Sequence, residues 1–299
     1  MTVHPPTRLR RAVLAVTLLD EGHVADLQPR DEGVLHDVPG GVSLVIPWAE
    51  LVLAAADDEE VLPDRVLQRR VGRWVRLRVA LHDLVHGADD LDAARASILA
   101  KVRVRALPQD HAVHPGPSWP RRAVMGGALD VGLALKGYDD DGRPDPEGVG
   151  VVPAGILVAT GIDVSTAHAR AERHLADMAA LAGERLLRSP SAVLRPLGDA
   201  DVLTLLAARE LRAALVDGMG MRSAAVPSRR RGWLDLGRID PAFAVTAAQL
   251  SDPDDRGFAR PVLITCDEVA LVRGGGDAVA QSLADPAPDE FAHHQRRRA

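Results

Sequence analysis

The sequence predicts an α+β protein, mainly helical with short strands and divisible into two subdomains. Three observations lead there. Two long stretches, 64–85 and 165–188, place apolar residues three and four positions apart, the spacing of one buried helix face. The strand-like runs are short and bounded by glycine, proline or charge. Between 107 and 120 stand Pro108, Pro115, Pro117 and Pro120, which break any regular element there.

Taken in order, the apolar run Ala12–Leu19 follows Arg8, Arg10 and Arg11 and reads as a first strand. It is too short, and too quickly followed by Asp20 and Glu21, for a secretory signal. Pro39-Gly40-Gly41 is a turn before the run Val42–Ile46, and Trp48–Ala56 suits a short helix. The helix 64–85 follows, with Asp64 as its cap, then a helix over Leu91–Ala100 and an alternating strand from Lys101 to Arg105. The proline-rich stretch marks the boundary between an N-terminal part, 1–107, and a C-terminal part, 108–273. Within the latter, Tyr138–Gly150 is dominated by turn formers and reads as an exposed loop. The helix from Ser165 to Arg188 is capped by Asp163 or Ser165 and stopped at Ser189-Pro190. A helix from Asp201 to Val216 closes at Gly218. Met219–Gly237 is basic and irregular, Pro261–Val272 holds one more strand, and 274–299 reads as a disordered tail.

Composition narrows the function. At 46% hydrophobic and 26% charged residues, the 299-residue chain is globular rather than disordered or fibrous. Aromatic residues are 3%, so leucine, valine and alanine fill the core. No run reaches 18 apolar residues, so no membrane span is expected. One cysteine precludes an internal disulfide and suits the cytoplasm. That residue, Cys266, precedes Asp267 and Glu268, neighbours that disfavour a thiolate nucleophile. The net charge of −6 argues against a broad nucleic-acid footprint, and nucleic acid is not an expected partner. Only Lys101 and Lys136 among the 36 basic residues are lysines.

Four features can carry chemistry. His82 and His86, four apart on a helix, have the spacing of a zinc-binding pair, with Asp83 where a zincin carries glutamate. His111 and His114 lie in the proline-rich linker ahead of Trp119, where one can act as a general base or both can ligate a metal. Gly126-Gly127-Ala-Leu-Asp130-Val-Gly132 matches neither a dinucleotide fingerprint nor a phosphate loop, and its single carboxylate needs a partner if buried. Arg229-Arg230-Arg231-Gly-Trp233 offers guanidinium forks beside an aromatic ring.

The stretches Arg121–Leu135 and Arg230–Phe243 resemble a group of uncharacterised actinobacterial proteins, over roughly residues 110–272. The resemblance implies a bacterial cytoplasmic context and assigns no catalytic residue. The expected function is therefore a binding protein for a small anionic ligand, phosphate- or carboxylate-bearing, or for an acidic protein surface. Its site would join His111, His114, Asp130, Arg229, Arg230, Arg231 and Trp233. The alternatives are a hydrolase using zinc on a histidine pair and a scaffolding protein. No cofactor other than that zinc is expected.

Overall fold

A computed structural model describes residues 7–19, 27–55, 63–216, 220–235 and 242–271. It opens with helix α1 (Thr7–Leu19), not the expected strand. Leu9, Ala12, Val13 and Val16 are buried at helical spacing. A short apolar run does not separate strand from helix by itself, and here packing against a later helix decides. Strands β1 (Leu27–Pro29), β2 (Gly33–His36) and β3 (Leu44–Pro47) form an antiparallel meander, and α2 (Trp48–Ala55) follows directly. The long helix α3 (Asp64–His86) buries Val71, Trp74, Leu77 and Leu81. Pro63 stands at its N-cap without a side-chain cap bond, and Asp64 instead receives Arg8 of α1 at 2.6 Å. Asp90 caps α4 (Leu91–Lys101) through the amides of Asp92 and Ala93.

Strand β4 (Val102–Pro108) runs across the expected boundary at 107 and pairs along its whole length with β6 (Leu129–Tyr138). The other edge of β6 meets β5 (Arg121–Val124) first and β7 (Pro144–Val151) beyond it. The expected exposed loop 138–150 is therefore a hairpin: turn chemistry occupies only Asp139–Arg143, and the strand after it becomes buried from Val149 onward. Gly132 is the close-approach position of β6, since an added Cβ would lie 2.6 Å from the Trp119 ring and 2.7 Å from the Pro120 carbonyl oxygen.

Helices α5 (Ala154–Ala159) and α6 (Val164–Arg188) follow, the latter capped by Asp163 through the Thr166 amide at 2.8 Å. After β8 (Val193–Leu194), the helix expected over 201–216 is two, α7 (Val202–Ala207) and α8 (Arg209–Leu215). Ala208 is extended between them, and Arg212 donates to the carbonyls of Leu206 and Ala207 that the break frees. The basic stretch expected to be irregular is a hairpin of β9 (Arg222–Ser228) and β10 (Arg231–Leu234). Its buried residues Ala224, Ala225 and Val226 are small, so their strand signal is weak. Helix α9 (Ala242–Leu250) precedes β11 (Val262–Ile264) and β12 (Val269–Leu271), which complete a sheet of order β12-β11-β9-β10-β8.

The fold is α+β, with three antiparallel sheets among the described residues. One cluster of buried apolar side chains extends from Leu9 to Val269 and crosses residue 107. A smaller one joins Leu107, Val113, Trp119 and Val151 under the linker. Among the described residues no helix is long and apolar enough to cross a membrane. Gly218 and the expected tail 274–299 lie outside the described residues.

Candidate functional site

The best-defined polar architecture grows from one face of α3. Arg65, Arg69, Arg73 and Arg76 follow each other at helical three- and four-residue steps, so they project toward the same neighbourhood. That neighbourhood is the β6–β7 turn. Inside the turn, the Asp139 carboxylate accepts from the amides of Asp141 at 2.9 Å and Arg143 at 2.8 Å. Gly142 takes a positive φ of 78° and lies so close to α3 that a Cβ would meet the Arg73 carbonyl oxygen at 3.0 Å.

Three arginines fasten this turn. Arg73, 1% exposed, donates from Nε to the Asp140 carbonyl at 2.5 Å and from Nη2 to the Val113 carbonyl at 2.8 Å. Burial pulls its guanidinium down to about 10, opposed by Asp140 and Asp141. Arg76 donates to the Asp141 carbonyl at 2.7 Å. Arg69 reaches the Asp141 carboxylate at 2.5 Å and grips Asp254 with both Nη atoms, at 2.9 and 2.8 Å. Burial disfavours the Arg69 cation, but its two aspartates outweigh burial and hold it charged; Arg69 in turn lowers the Asp254 carboxyl.

The Arg69–Asp141–Asp254 cluster is a wall with a cavity on each side. One, of about 280 Å³, is lined by Arg65, Gln68, Arg69, Arg76 and Arg143 against only Asp141 and Asp254. The other is a cleft of about 680 Å³ with the opposite balance, four arginines against ten carboxylates. Arg105 and Asp140 form a buried pair at 2.6 Å within the cleft. Arg229 lies 3.6 Å from Asp140, 3.8 Å from Asp201 and 3.7 Å from Asp255. Its backbone is fixed on both sides, its amide on the Asp255 carbonyl and its carbonyl on the Val202 amide, each at 2.8 Å. Asp201 caps α7 through the Thr204 amide at 2.8 Å; burial raises its carboxyl, and Arg105 opposes that rise.

Neither a family model, nor a curated protein, nor a solved structure matches this chain. The site is therefore read from its own geometry.

The seven residues expected to form one site divide among several places. Arg229 and Arg230 form the two-residue turn between β9 and β10, and the exposed Arg230 pairs with Asp255 at 2.9 Å. Arg231 begins β10, so strand alternation puts it on the same face as Trp233, with its guanidinium 5.9 Å from the ring centroid. None of the hydrogen bonds or ion pairs among the described residues joins these arginines to Asp130 or His114. Those two do meet: His114 Nε2 lies 2.9 Å from Asp130 Oδ2, the oxygen that also receives Arg121 Nε at 2.7 Å. Asp130 thus orients Arg121 rather than the tract 229–231. His114 Nδ1 accepts from the Gly116 amide, which leaves the ring proton on Nε2 to face Asp130. The ring also meets Trp119 edge-on at 5.4 Å.

His111 is buried, and its Nδ1 accepts from the Val113 amide at 3.3 Å. Its charged neighbours are Asp140, Arg105, Asp254 and Arg69, so it stands behind the cleft rather than with His114. His82 spends Nε2 on the Val42 carbonyl at 2.6 Å, and its ring lies 4.3 Å from that of His86. Among the described residues no group of three histidine, cysteine or carboxylate side chains is placed to hold a metal ion.

Burial depresses both His111 and His114 below the ordinary histidine value of 6.5, against the pull of Asp140 and Asp130 respectively. The unfolded chain then binds more protons than the folded one as pH falls below 6.5, so stability declines with acidification in that window. Thermal melts from pH 7.5 downward are expected to show this loss. The variant His111→Asn/His114→Asn should flatten it, and a profile as steep as the parent's would assign the loss to other groups. Carboxylates such as Asp254, held low, lose their contribution only below 3.8 and leave the two windows separate.

Sequence reasoning missed the face of α3. The signal was present, since Arg65, Arg69 and Arg76 recur at one face of an expected helix. Their partners, Asp141 and Asp254, come from a turn and from a segment near the other end of the chain, and no local pattern links them.

Proposed function

We propose that the chain is a binding protein for a small anionic ligand and that the arginine-lined cavity beside α3 receives it. The observation that carries this reading is the charge balance of that cavity: four arginines and Gln68 converge on about 280 Å³ that holds two carboxylates. Guanidinium groups suit phosphate or carboxylate oxygens because they present parallel N–H donors, and their charge persists at any physiological pH. The bond of Arg76 to the Asp141 carbonyl and the aspartate bonds of Arg69 hold two of the side chains in place before a ligand arrives, which limits the ordering cost of binding. The tract 229–231 is the weaker receptor, because its cleft is dominated by carboxylates that repel an anion.

The test is calorimetric titration with pyrophosphate. Replacing Arg65 and Arg143 by alanine should weaken binding about tenfold or more, at one to three kcal/mol for each charge-assisted contact, and leave the melting temperature unchanged. Arg229→Ala/Arg230→Ala/Arg231→Ala should retain the parent affinity. The reverse pattern would return the site to the hairpin, and absence of binding to the parent protein would sink the proposal.

A further inference from the structure

A third cavity lies on another part of the molecule, between the C-terminal end of α6, strand β8 and helices α7 and α8. It measures about 310 Å³, and its lining is predominantly apolar. Leu186, Val193, Leu194, Leu205 and Leu211 form its walls. Arg185 and Arg195 stand at it, both exposed. Among the described residues neither guanidinium has an ion-pair or hydrogen-bond partner, so both are free to meet an anionic head group. Arg188, one turn beyond Arg185, pairs with Glu184 at 2.7 Å and so does not compete for the same ground.

An apolar recess with two unpaired cations in its lining suits an amphiphile with an anionic head. We propose that this cavity binds a short-chain or medium-chain alkyl carboxylate, with its chain among the leucines and its carboxylate between Arg185 and Arg195. The commitment to a small amphiphile rather than a protein segment rests on two features. The recess is concave and of small-molecule size, and its cations sit at the recess instead of along an extended groove. Burial of the alkyl chain supplies the affinity, and the guanidinium forks choose the head group. The site shares no lining residue with the cavity beside α3, so the two stand or fall separately.

Titration of the full chain with decanoate below its micellar concentration tests the proposal. Saturable one-to-one binding is expected, with decyltrimethylammonium bound at least about tenfold more weakly because its head repels both arginines. Arg185→Glu/Arg195→Glu changes two exposed side chains and should weaken decanoate about tenfold or more while the melting curve stays in place. Ser191→Trp, at an exposed lining position, should block the recess without touching either charge. No decanoate binding, equal affinity for the cationic amphiphile, or parent-like affinity in both variants would overturn the assignment. Unchanged pyrophosphate binding in these variants is the expected companion result.

Discussion

Trp119→Ala is expected to destabilise the protein by about 3–5 kcal/mol, the range for removing a buried indole from a packed core. Trp119 is 2% exposed and fills the small cluster under the linker with Leu107, Val113 and Val151. Its Nε1 donates to the Leu133 carbonyl at 2.6 Å, and the glycine at 132 exists to admit its ring. Truncation therefore opens a cavity that β6 has no side chain to fill, and it leaves the Leu133 carbonyl with the Val152 amide, at 3.0 Å, as its remaining donor. Trp119→Phe keeps most of the volume and loses that hydrogen bond, so its cost should be smaller, about 1–3 kcal/mol. Urea denaturation of both variants checks the order. A loss below about 1 kcal/mol for the alanine variant would show that the linker does not depend on its tryptophan.

The second large effect is Asp130→Ala, expected to cost about 3–5 kcal/mol. The Asp130 side chain is 2% exposed, and one oxygen serves both His114 and Arg121. Without it, a partly buried guanidinium and an imidazole N–H face each other with no acceptor between them. Asp130→Asn retains an acceptor oxygen and should recover part of the loss. Pyrophosphate affinity should be unaffected in whatever folded fraction remains, because Asp130 ties the linker to β6 and lines none of the three cavities described above. A folded Asp130→Ala protein of parental stability would contradict this structural role.

These residues show where the sequence was legible. The helices over 64–86 and 164–188 follow from periodicity, and capping chemistry narrows the start of the second to Asp163 or Ser165, of which the structure uses Asp163. The need of Asp130 for a buried partner was also readable, since a lone carboxylate in an apolar strand has no other way to be accommodated. The identity of that partner was not, because Arg121 and His114 reach it through strand register and a proline-shaped loop. The hairpin of β9 and β10 escaped for a different reason. Its inward residues are alanines, which carry little strand preference, and its turn is made by Arg229 and Arg230 rather than by glycine or asparagine. The run 12–19, seven of its eight residues apolar, fits both periods, and only α3 behind it selects the helix.

The bond between Arg69 and Asp254 spans 185 residues of chain. During synthesis α3 leaves the ribosome early, while the carboxylate that completes its polar face is among the last described segments to be made. Until then the basic face of α3 lacks the Asp254 counter-charge, and the sheet of β8–β12 is incomplete. The polar wall therefore cannot be completed until residue 254 has been made, and its closure carries the entropy of a long loop.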